Sequence, residues 1–313
     1  MLDISQLHPL PSFTLDSAPL SSAQAEYCQY YGLDFLHKGL CKHHHFGRLD
    51  LASFHIAVQY FRCEKPKGTV VINHGYLDHS GLYRHPITAL LTANFNVLIY
   101  DLPGHGLSSG ARVSIDSFAD YQRVLTALLA ELDLAMPRPL HLLGQSTGGA
   151  ITMDYLLNNP RHGFNSAVLL APLVQPTGWP FIRAQLALVS PWLRQVPRRF
   201  KDNSNDAKFR YFLAQKDPLQ SQWISLKWLK ALRAWIPNFV RSDRSSLPVL
   251  VIQGDADTTV RWRVNLPIIE SLFRRSRPVI LHGAMHQLAN EAVRYRLRIN
   301  DEITNFLRRS SGS

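Results

Sequence analysis

Leu140-His141-Leu142-Leu143-Gly144-Gln145-Ser146-Thr147-Gly148-Gly149-Ala150-Ile151-Thr152-Met153 is the stretch whose reading decides the fold. Residues 140–143 read as a short buried strand, and 149–153 can begin a helix. Between them, Gly144-Gln145-Ser146-Thr147-Gly148 matches G-x-S-x-G. Alone the pattern is weak, because ordinary Gly and Ser usage produces it in roughly one chain in ten of this size. Its context makes it informative. A strand, a strained turn and a helix in that order lift a hydroxyl clear of a sheet, and the flanking glycines leave room for the tight backbone. A helix N-terminus behind the turn also favours developing negative charge. The bland alternative is a serine in a glycine-rich turn.

Working outward, short apolar runs at 69–73, 96–100, 140–144, 167–171, 248–253 and 278–282 are each closed by Gly, Pro, Asp or Asn. Helical patterns lie between them, one capped by Ser117 and running to about Leu132, another over 146–158. This alternation predicts an α/β chain with a mostly parallel central sheet covered on both faces. It lapses after Pro172 and resumes at Pro248. The expected division is an N-terminal extension (1–45), a core (46–172 and 247–308) and a helical cap inserted in it (173–246). Within the extension and its border, 22–31 reads as a helix and 49–61 alternates like an antiparallel edge pair. Residues 308–313 are expected to fray.

A serine nucleophile needs a base, an orienting acid and backbone donors for an oxyanion. His74-Gly75 follows the strand at 69–73, so the Tyr76 N–H is one candidate donor and the Thr147 N–H the other. His74 itself reads as a loop-bracing residue. In the order Ser…Asp…His, Asp257 on the loop after 248–253 is the preferred acid, with Asp255 its competitor. His286, on the loop after 278–282, is the preferred base. His282, at a strand end, reads as packed. The run His43-His44-His45 invites a metal reading, but neighbours in an extended chain point to alternate faces and no Cys or carboxylate has ligand spacing. No metal and no cofactor are expected.

The chain has 313 residues with 46% hydrophobic and 18% charged residues, ordinary values for a globular protein. The net charge of +11 is local: thirteen Lys+Arg and four Asp fall within 173–247. No nucleic-acid motif accompanies them. The same segment holds Trp179, Trp192, Trp223, Trp228 and Trp235. On a helical wheel Ile224, Trp228, Leu232, Trp235 and Ile236 share one face, with Lys227, Lys230 and Arg233 elsewhere. Trp179, Trp228 and Trp235 are therefore candidate substrate contacts, and the basic face a candidate peripheral contact with anionic membrane. A cap simply packed on the core explains the same spacing. Cys28, Cys41 and Cys63 read as free thiols of a reducing compartment. No segment looks like a signal peptide or a membrane span, so the expected location is cytoplasmic, with peripheral contact at the membrane as the alternative.

At these residues the sequence resembles the monoacylglycerol lipase and lysophospholipase branch of the α/β-hydrolases. His74-Gly75-Tyr76-Leu77-Asp78-His79-Ser80-Gly81-Leu82-Tyr83 is similar to that branch's oxyanion-turn motif. Asp101-Leu102-Pro103-Gly104-His105-Gly106-Leu107-Ser108-Ser109-Gly110 resembles its D-x-x-G-H-G-x-S-x-G loop, and Ser117-Phe118-Ala119-Asp120-Tyr121 its S-F-x-D-Y helix start. Thr147 departs from the pattern, in which Met is common. The resemblance spans roughly 48–308 and implies an α/β-hydrolase fold with Ser146, Asp257 and His286 as catalytic residues. The implied activity is hydrolysis of a lysophospholipid or monoacylglycerol ester. A carboxylesterase for small soluble esters, an amidase, and a non-catalytic ligand-binding protein on the same fold are the rivals.

Overall fold

Runs such as Thr69–Asn73 and Asn96–Tyr100 contain no residue that water reaches, as required of strands covered on both faces. The computed structural model describes residues 2–16, 19–189 and 192–311. Its central sheet has eight strands: β1 (His43–Leu51), β2 (Phe54–Arg62), β3 (Thr69–Asn73), β4 (Asn96–Tyr100), β5 (Leu140–Gln145), β6 (Ser166–Leu170), β9 (Ser245–Gly254) and β10 (Phe273–Leu281). They lie in the order β1-β2-β4-β3-β5-β6-β9-β10. β1 pairs antiparallel with β2, and β2 antiparallel with β4. Every other neighbour is parallel. This is the mostly parallel α/β sheet expected from the sequence.

Strand periodicity divides the core in two. Val71, Leu98 and Tyr100 face one layer, with α3 (Phe118–Leu132), α4 (Thr147–Asn158) and α8 (Trp262–Leu272). Val70, Ile72, Val97 and Ile99 face the other, with α1 (Ser22–Tyr31), α2 (Arg84–Thr92) and α9 (Val293–Ser311). Alternate residues of one strand thus serve opposite layers, so a one-residue slip would exchange the two cores.

The N-terminal segment is part of this packing. A capping box of Ser21 and Gln24 starts α1, which buries Tyr27, Cys28 and Tyr31. The chain before it lies along β1, with Phe13 N–H donating to the Arg48 carbonyl and Arg48 N–H to that of Pro11, each at 2.8 Å. That covers a sheet edge otherwise open to further pairing. β1 begins at His43, earlier than the alternation from Leu49 indicated: His44 is stacked on Phe61 and hydrogen-bonded to Gln59, so histidines here act as packed strand residues.

Between β6 and β9 the chain forms α5 (Trp179–Val189), β7 (Gln195–Pro197), α6 (Ala207–Gln215), β8 (Trp223–Ser225) and α7 (Leu226–Phe239). The insertion is mainly helical, but β7 and β8 form an antiparallel pair that three-residue runs did not reveal. β10 begins at Phe273, well before the expected Pro278. Arg274, Arg275 and Arg277 are exposed on this edge strand, and charge at an edge reads as loop in a sequence. α9 continues to Ser311, whose hydroxyl lies 3.1 Å from His141 Nε2, so fraying from Arg308 is not seen. The remainder of that expectation, 312–313, lies outside the described residues.

Candidate active site

β5 ends at Gln145 and α4 begins at Thr147, leaving Ser146 alone in the turn at φ 54°, ψ −113°. That left-handed value is uncommon for a side-chain-bearing residue and holds only where the surroundings enforce it. Two glycines enforce it here. A Cβ at Gly144 would lie 2.4 Å from the Gly148 carbonyl oxygen, and one at Gly148 only 1.8 Å from that of Asn73. Strand β3, turn and helix are pressed together without side chains between them.

His286 Nε2 lies 3.0 Å from Ser146 Oγ, and its Nδ1–H donates to Asp257 Oδ2 at 2.8 Å. Asp257 follows β9 and also accepts from Gln253 Nε2 at 3.0 Å and from the amides of Thr259 and Val260 at 2.7 and 3.1 Å. Burial pushes its carboxyl up, but the charge of His286 and these hydrogen bonds hold it below the usual range. Burial would lower His286, yet the charge and hydrogen bond of Asp257, with Asp78 behind them, raise it above the ordinary histidine value. The structure therefore brings Ser146, His286 and Asp257 into one hydrogen-bonded line.

The competitors occupy different places. Asp255 accepts from His282 Nδ1 at 2.8 Å and from Gly283 N–H at 2.7 Å. His282 is not packed, as its strand-end position implied, but 89% exposed. The two alternatives pair with each other at the surface. His74 is buried and its basicity is pushed down to about 3 by burial. Its Nδ1–H donates to the Gly75 carbonyl and its Nε2 accepts from Leu102 N–H, at 2.8 and 2.9 Å, which braces two loops.

The turn after β3 lies beside the serine, since a Cβ at Gly75 would be 3.5 Å from Ser146 Cβ. Tyr76 follows Gly75 in this turn, and Thr147 directly follows Ser146 and opens α4. The Tyr76 ring is stacked on Trp228 at 3.9 Å between centroids, and its hydroxyl accepts from Ser225 N–H and donates to the Val113 carbonyl. The Trp228 indole Nε1–H donates to the Tyr121 hydroxyl, and that of Trp235 to Asp154 Oδ1 at 2.9 Å, with the Trp235 ring on Phe118. Both tryptophans thus fasten α7 to α3 and α4, and neither faces solvent. Trp179 is buried at the start of α5, just after the segment where Thr177 N–H donates to the Thr259 carbonyl.

Several supporting groups were not singled out from the sequence. Gln145 Nε2 donates to the His286 carbonyl at 2.9 Å, and Gln287 Nε2 to Asp78 Oδ1 at 2.7 Å. Tyr83 hydroxyl donates to Asp78 and accepts from Gly75 N–H. Asp78 lies inside the D-H-S of the oxyanion-turn motif and Gln145 inside G-x-S-x-G, so the signal was present as motif positions without a stated role. The described residues contain no cluster of three metal-ligating side chains, and no helix among them is long and apolar enough to cross a membrane.

Residues 64–293 match the model of the family described as serine aminopeptidase, S33. Human monoglyceride lipase is 34% identical over 123 residues, 37% of this chain and 40% of that protein. Bacillus subtilis phospholipase YtpA is 24% identical over 252 residues, 75% of this chain and 93% of the relative. Some first-ranked relatives are thus matched over about two fifths of their length, 42% for the monkeypox virus monoglyceride lipase homolog. Monoacylglycerol lipase of Paleococcus ferrophilus superposes with a TM-score of 0.71 at 23% identity, covering 82% of this chain and 99% of that one. A soluble variant of Saccharomyces cerevisiae monoglyceride lipase, in complex with a substrate analog, superposes at 0.74 with 16% identity, covering 85% of this chain and 95% of that one. The chain is an α/β-hydrolase that belongs to the serine aminopeptidase S33 family, on its monoglyceride-lipase-like branch.

Proposed function

We propose that the protein hydrolyses carboxylic esters of single-chain lipids, monoacylglycerol or lysophospholipid, through an acyl-enzyme on Ser146. The observation that carries this reading is the line Ser146 Oγ–His286 Nε2–Asp257 Oδ2, with separations of 3.0 and 2.8 Å. His286 takes the proton of Ser146 as its oxygen attacks the ester carbonyl. Asp257 fixes the imidazole tautomer and stabilises the imidazolium. The amides of Tyr76 and Thr147 receive the developing oxyanion, as fixed donors that need no reorganisation. His286 then gives its proton to the departing alcohol, and water releases the acid by the same steps in reverse. No cofactor enters this scheme.

We read 173–246 as a cap over this centre, with Trp228 and Trp179 as apolar walls near it. Trp235 is instead a fastening of α7. The lipid class rests on the names of the relatives, human monoglyceride lipase and the Bacillus subtilis phospholipase among them. For peripheral membrane contact, the exposed apolar residues are Phe181, Trp192, Leu193 and Trp223, in and beside α5, β7 and β8. Arg183, Arg194 and Arg199 are exposed among them, a combination suited to anionic lipid. The α7 tryptophans, read from the helical wheel as substrate contacts, are buried and offer no apolar surface for such contact.

The test is a fluorophosphonate probe followed by a panel of p-nitrophenyl esters, monoacylglycerols and lysophospholipids. Labelling of the wild type and none of Ser146→Ala is expected, with turnover of single-chain lipid esters. Equal labelling of both proteins overturns the assignment of Ser146.

A further inference from the structure

A cavity of about 500 Å³ lies between α1, α2, α6 and the start of α9, and none of Ser146, Asp257 and His286 lines it. Its volume is that of a small-molecule site. One part of its wall is apolar, made by Leu82, Phe209, Phe212 and Val293 with the rings of Tyr30 and Tyr31. The other part is cationic.

That cationic part has few protein acceptors among the described residues. Arg84 Nε and Arg296 Nη1 both donate to the same atom, His85 Nε2, at 3.1 and 2.6 Å. Beside burial, these two guanidinium groups push the imidazole down to about 3, so it stands neutral between them. Arg296 is only 14% exposed, and among the described residues its ion-pair partner is Asp206 Oδ2 at 3.4 Å. The other Asp206 oxygen is committed to capping α6, accepting from Phe209 N–H. Lys208 stands exposed on the rim and has no ion pair among the described residues. Three cations thus line the cavity, Arg84 and Lys208 exposed at its rim and Arg296 nearly closed off, with one carboxylate oxygen on Arg296 and one imidazole lone pair shared by the two arginines. A guanidinium carries five N–H donors, and among the described residues only Arg84 Nε and Arg296 Nη1 meet a protein acceptor, so the others are left to water or to a ligand.

We propose that this cavity is a second binding site, apart from the Ser146 centre, for a single-tailed carboxylate whose head lies on Arg84, Arg296 and Lys208. The tail lies along Leu82, Phe209 and Phe212. A carboxylate matches a guanidinium fork geometrically and offers anionic acceptors to donors otherwise left to water. Asp206 sets the limit on charge: it already neutralises one cation, and a dianion would place its second charge against it. The apolar wall requires a hydrocarbon body, which a free small anion lacks.

The test is calorimetric titration of sodium laurate, below its micellar concentration, into the full chain. Saturable binding is expected, with dodecanol, which has the tail without the charge, binding at least ~10-fold more weakly, since charge-assisted hydrogen bonds are lost. Arg84→Gln combined with Arg296→Gln should weaken laurate by about 10- to 100-fold while leaving hydrolysis of a short soluble ester unchanged. Lys208→Glu, a change on an exposed rim that cannot empty the core, should weaken it by about 3- to 10-fold and serves if the double variant fails to fold. Laurate binding that is absent, that dodecanol equals, or that survives Lys208→Glu undiminished overturns the site. The arginines do not line the Ser146 centre, so this result is independent of whether esters are turned over.

Discussion

His79 Nε2 lies 2.9 Å from Asp217 Oδ2, and both side chains are closed off from solvent. The other oxygen of Asp217 accepts from Tyr31 at 2.7 Å. One carboxylate thus joins the segment after α6, the turn after β3 and helix α1. Removing one partner of a buried pair leaves the other charged and uncompensated, which costs about 3–5 kcal/mol. Burial pushes Asp217 up, but His79 and the hydrogen bonds hold it down, at about 2. Burial pushes His79 down, but the neighbouring carboxylates, Asp217 first, raise it above its ordinary value. The depressed acid contributes stability that is present above its unfolded value and lost as pH falls toward about 2. The raised histidine contributes stability that is full below its unfolded value and lost as pH climbs through its folded one. Asp217→Asn should therefore lower Tm most in mildly acidic solution, between the two titrations, with the gap to wild type narrowing on both sides. Thermal unfolding across pH measures this, and a gap that widens steadily toward alkaline pH contradicts the pairing.

Ser146→Ala and His286→Ala should each lower kcat by about 10⁴- to 10⁶-fold, because such groups act as a unit. Asp257→Asn should be severe and Asp255→Asn mild, since Asp255 is occupied by the exposed His282. Steady-state kinetics on a soluble ester ranks them. The reverse order would transfer the orienting role to Asp255.

The pH profile carries its own sign. His286 works as a base only when neutral, and Asp257 with Asp78 raises its pKa above the ordinary histidine value. The acidic limb of kcat/KM should accordingly bend above about 6.5, the unperturbed histidine value. A limb centred well below that value is incompatible with His286 held as the structure holds it.

Gly148→Ala probes the elbow. Its new methyl would meet the Asn73 carbonyl at 1.8 Å, between strand β3 and the helix packed on it, which cannot separate cheaply. A loss of about 3 kcal/mol or more is expected, beyond ordinary overpacking. Denaturant unfolding reads it, and a variant of wild-type stability would mean that β3 and α4 are less tightly apposed.

For membrane contact, Phe181→Ser with Trp192→Ser should weaken sedimentation with anionic vesicles by about 10-fold or more, from lost apolar burial. The triple change of Lys227, Lys230 and Arg233 to Gln should weaken it less, and only at low salt. Lys227 already pairs with Asp116, which reduces what its charge can offer a lipid surface. Vesicle binding that the triple change abolishes while the apolar pair leaves it intact would return the contact to the α7 face.

The sheet was legible because each parallel strand is buried on both faces and reads as a closed apolar run. β3 and β4 have the expected bounds, and Ser146, Asp257 and His286 stand where strand ends and motif spacing put them. What escaped reading depends on partners distant in sequence. Asp217 is 138 residues from His79 and 186 from Tyr31, and no local pattern marks an aspartate destined for burial. The wheel found the apolar face of α7 but could not say what covers it. Trp228 and Trp235 meet Tyr76 and Phe118, protein rings that periodicity cannot distinguish from lipid.

Tyr76 belongs to two assemblies at once. In the proposed mechanism its amide is an oxyanion donor, while its ring lies on Trp228 and its hydroxyl receives Ser225 N–H from the start of α7. On the proposed mechanism, seating of the inserted helices and readiness of the oxyanion donor become a single equilibrium. A molecule with α7 lifted away would lose the ring and hydroxyl partners that fix Tyr76, and with them the readiness of that donor. Access and reactivity would then trade against each other through one side chain, and bulk water would seldom encounter the competent form.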